Sequence, residues 1–179
     1  MAWNNANNDI AILGGTGGAI TLAEPVTVGG LQITDVDIDI NSSTLTFGTA
    51  GEISSTGGGG NQNNPPTINS VIAGAGVTKT GSAYLSLTAD NTMASFTLNA
   101  GTIGQLPNTT SVDPYLGFGP GILTINGGGF FTTNNDPTYI PNDMDRNSNW
   151  FVNNVSNGNK VLTMGGDVTL GANVQISAK

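Results

Sequence analysis

Residues 75–103 read AGVTKTGSAYLSLTADNTMASFTLNAGTI, and their spacing is the main evidence for the architecture. Apolar and small polar residues alternate in two short runs, Tyr84–Thr88 and Phe96–Leu98, and Asn or Gly follows each run within a few residues. A period of two indicates short strands that are separated by tight turns. We therefore interpret this segment as one coil of a solenoid.

An apolar–Thr–apolar triplet recurs in other parts of the chain. Its copies are Ile20–Leu22, Val26–Val28, Leu45–Phe47, Leu123–Ile125, Leu162–Met164 and Val168–Leu170. A coil of roughly twenty residues buries one apolar face only when neighbouring coils stack on it, and aligned Asn and Thr side chains then form ladders. Both ends of the stack present unpaired strand edges, so we expect them to be capped by a loop or to associate end to end.

The composition favours an all-β protein. A chain of 179 residues is long enough to bury a sizeable core. It has 27 Gly and only 9% charged residues, whereas disordered chains combine high charge with few β-branched residues. Collagen is excluded because Gly does not recur at every third position. The glycines are therefore expected in turns that require positive φ.

The charge balance argues against a nucleic-acid partner. Four Lys and Arg residues stand against twelve Asp and Glu residues, and the net charge is −8. Binding to a phosphate backbone depends on Lys and Arg, so no nucleic-acid partner is expected. The sequence has no run of eighteen apolar residues, and no membrane insertion is expected within this segment.

Cysteine and histidine are both absent from the sequence. Their absence excludes disulfides, thiol nucleophiles and the hydrolase sites that depend on an imidazole. Residues 1–4 lack the charged and apolar regions of a secretory signal. We expect a mature segment of an exported protein.

The chain is predicted to be a single segment, 1–179, with two longer protruding loops. Residues 1–103 form repeat-like coils that are interrupted by a loop at 54–66, where four Gly and two Pro disfavour strand pairing. Residues 104–149 form irregular coils that end in a second loop at 132–149. Residues 150–179 form regular coils.

Residues 35–40 read DVDIDI and predict one strand, because side chains that alternate along a strand point to opposite faces. Val36, Ile38 and Ile40 would enter the core. The outer face of this strand would carry three carboxylates, namely Asp35, Asp37 and Asp39. These carboxylates are interpreted either as oxygen ligands for Ca²⁺ or as a solvated face that discourages edge pairing.

Residues 3–103 resemble the autotransporter-associated β-strand repeat, found in bacterial surface proteins of the passenger type. The shared motifs are Trp3–Asn5, the VTVGGL run at 26–31, VTKTG at 77–81 before Leu85–Leu87, and NAGTI at 99–103. Residues 104–179 resemble the inter-repeat β-helix of the same proteins. The resemblance implies a right-handed parallel β-helix at a bacterial cell surface or outside the cell. It names no catalytic residue, so none is assigned.

The function predicted on this basis is that of a non-catalytic, rod-like scaffold that mediates adhesion to a glycan or a host surface. One alternative is the subunit of an extracellular fibre, assembled by end-to-end stacking. A second alternative is a polysaccharide-active β-helix enzyme, for which Arg146, the only arginine, would be the catalytic residue.

A calcium site is one interpretation of the acidic residues in the second predicted loop. Asp136, Asp143 and Asp145 occur there with Asn134, Asn135 and Asn142, and a loop can wrap oxygen ligands around an ion. The other interpretation is that these residues form turns, in which Asn and Asp are common. No other cofactor is predicted.

Four aromatic residues offer a further hypothesis for adhesion. They are Tyr84, Tyr115, Tyr139 and Trp150. Exposed rings could stack on sugars, whereas buried rings would anchor the core or the loops.

Overall fold

The computed structural model describes residues 4–57, 64–104, 117–132, 138–154, 162–171 and 173–178. All regular elements in these residues are β-strands, which confirms the all-β prediction. They are β1 (Ile10–Leu13), β2 (Gly18–Thr21), β3 (Val26–Ile33), β4 (Ile38–Asn41), β5 (Thr44–Ser55), β6 (Thr67–Ile68), β7 (Val71–Gly74), β8 (Val77–Thr80), β9 (Tyr84–Leu87), β10 (Phe96–Leu98), β11 (Thr102–Gly104), β12 (Leu123–Ile125), β13 (Gly129–Thr132), β14 (Thr138–Ile140), β15 (Met144–Arg146), β16 (Trp150–Asn154), β17 (Leu162–Met164), β18 (Val168–Leu170) and β19 (Ile176–Ala178).

The strands stack in parallel sheets. In the described residues every strand pair is parallel. The first sheet runs in the order β1-β3-β5-β8-β10-β12-β15-β18, with β7 also paired to β5, and the second runs β2-β4-β6-β9-β11-β13-β16-β19. Strands β14 and β17 form a third, smaller sheet. Successive coils therefore lie on one another, and the chain is a parallel β-solenoid.

The coils keep their register although they differ in length. Leu98 pairs with Lys79 of the preceding coil and with Ile125 of the following coil, and the chain between Leu98 and Ile125 is the longer of the two connections. Asn side chains reinforce this alignment where strands of the first sheet end. Asn126 donates its amide to Asn99 over 2.8 Å, and Asn147 donates to Asn126 over 3.0 Å. The predicted Asn ladder is confirmed at this corner.

The core lies between the sheets and follows the predicted alternation. In β10, Phe96 and Leu98 are fully buried, whereas Thr97 between them is half-buried on the outer side. The same pattern holds at β12, where Leu123 and Ile125 point inward. These residues belong to one continuous apolar cluster that extends along the solenoid. The apolar–Thr–apolar triplet therefore encodes the inner and outer faces of a coil.

The predicted strand at 35–40 is shorter than the alternation suggested. Strand β4 begins only at Ile38, and Asp37 before it has a left-handed backbone with φ of 58°. Such a φ turns the chain and ends the alternation, so Asp35 and Asp37 lie in the bend before the strand and Val36 is only half-buried. The prediction of three carboxylates along one strand face was wrong.

The second predicted loop, 132–149, was also too long. It contains strands β14 and β15, of which β15 lies in the first sheet between β12 and β18. The first predicted loop, 54–66, begins inside β5, which extends to Ser55. Residues 58–63 lie outside the described part of the chain.

Candidate functional site

Two cationic side chains lie inside the solenoid, in one row of the first sheet. The residues of this interior row, in order along the stack, are Ala11, Leu31, Ile53, Lys79, Leu98, Ile125, Arg146 and Leu170. Lys79 is 0% exposed and Arg146 is 2% exposed. The sequence pattern did not predict this burial, because Lys and Arg are normally found at the surface.

The buried amine of Lys79 donates hydrogen bonds to the carbonyl groups of two turns. Its Nζ donates hydrogen bonds to the carbonyl oxygens of Thr80, Gly81 (3.0 Å) and Ala100 (3.4 Å). Ala100 belongs to the next coil, so the amine links two successive corners. Burial lowers the pKa of Lys79 from 10.5 to about 8. The side chain is therefore committed to internal carbonyl groups and faces no solvent-accessible cleft.

Arg146 is packed among apolar and sulfur-containing side chains. Its Cζ lies 4.4 Å from the ring centroid of Trp150, which is a cation–π distance. Nη2 contacts the sulfur atoms of Met144 and Met164, whereas Nε is buried and has no hydrogen-bond partner. Burial lowers the pKa of this guanidinium. A polysaccharide on the outer surface cannot reach a side chain at this depth. Arg146 therefore cannot serve as the catalytic residue that the enzyme hypothesis assigned to it.

The residues of the calcium hypothesis are only partly described. Asp145 points outward in β15, and the Oδ1 of Asp143 accepts a hydrogen bond of 2.9 Å from the amide of Asp167. Asp136, Asn134 and Asn135 lie outside the described residues. Within the described residues, no group of three or more His, Cys, Asp or Glu is placed to hold a metal ion. The site formed by Asp136, Asp143 and Asp145 stays a prediction.

Asn142, which the sequence associated with that site, is buried at a corner between coils. Its Nδ2 donates to the carbonyl oxygens of Gly119 (2.8 Å) and Gly121 (2.7 Å) of the preceding coil. Its Oδ1 is buried without a partner. Asn91 occupies a comparable corner and donates to Gly117 over 2.8 Å. These side-chain amides donate hydrogen bonds to the carbonyl groups of neighbouring turns. The local sequence does not distinguish a buried Asn of this kind from an Asn in a surface turn.

The aromatic residues are mainly structural where they are described. Trp150 is 3% exposed and packs edge-to-face on Phe130, with centroids 5.4 Å apart. Tyr84 is half-buried and packs edge-to-face on Phe131 at 5.1 Å. Tyr139 is also half-buried but lies in the third sheet, and Tyr115 lies outside the described residues. Trp150 therefore belongs to the core and is not available to a glycan.

Exposed apolar side chains concentrate at the two ends of the stack. A cavity of about 220 Å³ that is open to solvent lies at the N-terminal end of the stack, between side chains of the first coils. Its lining is entirely apolar: Ala11, Leu13, Ile20, Leu22, Val26, Val28, Leu31, Ile40 and Leu45. At the other end, Val168, Leu170 and Ile176 are 42%, 59% and 53% exposed. Among the described strands, β1 and β2 at one end and β18 and β19 at the other have a paired neighbour on one side only.

None of the described residues forms a helix that is long and apolar enough to cross a membrane. No protein-family model matches the chain, and no solved structure matches it.

The chain is similar to the Adhesin BmaC autotransporter of Brucella suis biovar 1 (strain 1330). The two sequences are 46% identical over 94 residues, which are 52% of this chain but only 3% of the adhesin. Together with the solenoid, this similarity confirms the resemblance to a passenger-type repeat. It indicates a cell-surface or extracellular location and supports a surface-passenger scaffold.

Proposed function

We propose that the chain is a non-catalytic, rod-like segment of a bacterial surface protein, which holds other parts of the molecule away from the cell and contributes to adhesion. The observation that supports this most strongly is the uninterrupted parallel stack of the first sheet from β1 to β18. With strands about 4.8 Å apart, these eight strands extend over about 34 Å. The stack therefore grows along one axis, as a rod-like segment requires.

The interior chemistry supports a structural role. Lys79 and Arg146 are the only cationic side chains in the described residues, and both are buried in the core. A lysine or arginine that takes part in catalysis has to reach the substrate. These two side chains do not reach the surface, and their hydrogen bonds and ring contacts are made within the solenoid.

The outer face of the first sheet supports an adhesive role. Thr78, Thr97, Thr124, Asp145 and Thr169 stand next to one another in register. This outer row presents hydroxyl and carboxylate groups at the spacing of adjacent strands. Such groups hydrogen-bond to the hydroxyls of a glycan or to the polar surface of a host protein. The similar protein is named an adhesin, which agrees with this proposal.

The proposal is tested by displaying the chain on a non-adherent bacterium, fused to an unrelated membrane anchor. A bacterium that carries the anchor alone is the control. We expect a binding module placed beyond the chain to become more accessible to antibody, and the chain alone to increase retention on host cells or glycan-coated surfaces. Unchanged retention would exclude adhesion and leave the spacer role. Unchanged accessibility as well would contradict the whole proposal.

A further inference from the structure

We propose that a groove on the outer face of the first sheet, above Gly30, binds a lysine or arginine side chain of a partner protein. The inference rests on the proposed adhesive function and deepens it, because it gives the place of contact and the chemistry of the partner. The groove lies beside the outer row, in which Glu52 stands next to Thr78.

An irregular pairing between two strands forms the groove. The register between β3 and β5 shifts between Val28 and Gly30. Residues 48–51 of β5 therefore lie opposite Gly29 alone. Extra residues of this kind bend the strand locally and interrupt the flat face of a sheet, and such bulges often occur beside functional sites. The groove that results has a volume of about 230 Å³.

Gly30 lies at the floor of the groove, and Ile10 and Ala50 supply apolar walls. A Cβ on Gly30 would lie 3.7 Å from Cγ1 of Ile10, so a larger residue at this position would fill the space. Described strands border the groove on both sides, with β1 on one side and β5 on the other. It opens sideways on the outer face, so further coils stacked beyond β1 or β19 would leave it open.

Three polar side chains that line the groove have hydrogen-bonding groups to spare. They are Gln32, Glu52 and Ser54. The hydroxyl of Thr80 donates to Oε1 of Glu52, whereas Oε2 has no partner in the described residues. In that part of the chain the side chains of Gln32 and Ser54 make no hydrogen bond either. The groove therefore offers a carboxylate, an amide oxygen and a hydroxyl as acceptors, which an ammonium or guanidinium group requires.

The charge distribution favours a basic partner. Lys79 and Arg146 are the only cations in the described residues, and both are buried, so neither can pair with Glu52. The whole chain carries a net charge of −8. Opposite charge on the partner accelerates the encounter and selects its orientation. A neutral glycan would gain nothing from this charge, and an acidic glycan would be repelled by it.

The shape of the groove fits one amphipathic side chain. The aliphatic stem of a lysine or arginine packs on apolar surface while its charged head reaches a polar group. In this groove, Ile10 and Ala50 would contact the stem and Glu52 would bind the head. Pockets for drug-sized ligands measure about 300–1,000 Å³, so the groove has the size for a single side chain.

A peptide titration tests the inference directly. The ¹⁵N-labelled 179-residue protein is titrated with a pentapeptide that has one lysine between glycines and blocked termini, and NMR records the amide signals. The same peptide with acetyl-lysine keeps the stem but lacks the charge. We expect the signals of Gly30 and Glu52 to shift, and the acetylated peptide to bind about threefold more weakly or worse. Equal binding of both peptides, or shifts only outside the groove, would overturn the proposal.

Variants assign the binding to one carboxylate. Glu52→Gln removes the charge and keeps the shape, so affinity for the lysine peptide should fall about threefold or more. Asp145→Asn is the matched control, because Asp145 lies in the same outer row but outside the groove, and its affinity should equal that of the wild type. Circular dichroism shows whether each variant is folded. If Glu52→Gln does not fold, the acetylated peptide still isolates the charge. Equal affinity of folded Glu52→Gln and wild type would contradict the inference.

Retention of displayed bacteria separates this inference from the proposed function. We expect bacteria that display Glu52→Gln to be retained on host cells less than those that display the wild type or Asp145→Asn. Retention that survives Glu52→Gln and is lost after enzymatic removal of host glycans would identify a glycan partner. That result overturns the inference and leaves the adhesive function standing. If the wild type itself is not retained, the adhesive function fails, and the peptide titration decides whether the groove binds a cationic side chain.

Discussion

At the scale of single residues, the interior cations are the least expected feature of the molecule. Lys79 belongs to the VTKTG motif and stands in a row that is otherwise mostly aliphatic. Its aliphatic stem packs in the core, and its amine reaches the carbonyl oxygens of Gly81 and Ala100. Lysine is suited to this position because it combines a long apolar stem with three hydrogen-bond donors. The motif therefore encodes a corner whose carbonyl groups accept hydrogen bonds from a buried lysine.

The lowered pKa of Lys79 predicts a pH dependence of stability. Between pH 8 and 10.5 the unfolded chain binds more protons at this residue than the folded chain, so the free energy of unfolding rises with pH in this window. Below pH 8 both states are protonated, and the residue contributes no slope. Urea unfolding of the wild type and of Lys79→Met across the window measures the effect. The difference between the two proteins isolates Lys79 from other alkaline groups, and parallel curves would contradict the prediction.

The burial of Arg146 predicts that this residue affects the stability of the fold. Its guanidinium is desolvated, and its Nε has no partner. Replacing a buried charge by an apolar side chain of similar length is often stabilising, so Arg146→Met should raise the free energy of unfolding by about 1–3 kcal/mol. Arg146→Lys is the control, because it keeps the charge but loses the planar stack on Trp150. Chemical denaturation compares the three proteins. A loss of stability in Arg146→Met with no loss in Arg146→Lys would contradict this account.

The sequence was sufficient to predict which residues of an apolar–Thr–apolar triplet point inward. Phe96 and Leu98 are buried and Thr97 is not, because strand geometry alone imposes the alternation. The Met-Asp-Arg run at 144–146 has the same inward and outward pattern, but its inward arginine concealed the strand. A pattern that is based on hydrophobicity cannot identify a cation that is accommodated by Trp150 from another strand.

At the scale of elements, the corners between strands restrict which residues the chain can place there. Gly81 follows β8 with φ of 74°, and a Cβ at this position would lie 2.2 Å from the carbonyl oxygen of Ser55 in the preceding coil. Gly119 is constrained in the same way, since its Cβ would lie 2.0 Å from the carbonyl oxygen of Met93. Stacked corners therefore require glycine for close backbone approach as well as for positive φ.

Gly81→Ala is predicted to lower the free energy of unfolding by about 3 kcal/mol, because the new methyl group meets backbone and the left-handed φ is strained. Gly18→Ala is the matched control, since a Cβ there would have nothing within 4 Å and φ is not left-handed. Thermal or chemical denaturation of both variants measures the contrast. Equal stability of the two variants would show that the corner can relax.

The corners were also where strand boundaries were hardest to predict. The alternation at 35–40 was misleading because Asp37 adopts a left-handed φ, which the sequence does not reveal. Strand β5 crosses a corner without ending, pairing with β7 through Thr44–Phe47 and with β8 through Gly51–Ser54. Whether a coil bends or stops at a given point depends on the coils above and below it. Local residues therefore predict the coil but not its corners.

At the scale of the whole molecule, each coil is stabilised by its two neighbours. Among the described coils, the first and the last have a neighbour on one side only, so their stability in this 179-residue chain should be lower. Hydrogen–deuterium exchange is predicted to be slowest in β8, β10 and β12 and to become faster towards β1 and β18. Leu170→Glu is not expected to change the protection of the central strands. Uniform protection along the stack would indicate a single cooperative unit.

The unequal coil lengths have a consequence for evolution and engineering. A shorter coil and a longer coil present the same strand to the same neighbour, as Leu98 shows by pairing with both Lys79 and Ile125. The additional residues of the longer coil leave the backbone ladder unchanged. Coils of different length can therefore share one backbone ladder, and surface variants with new epitopes can arise by insertion into a coil whose paired strands are kept.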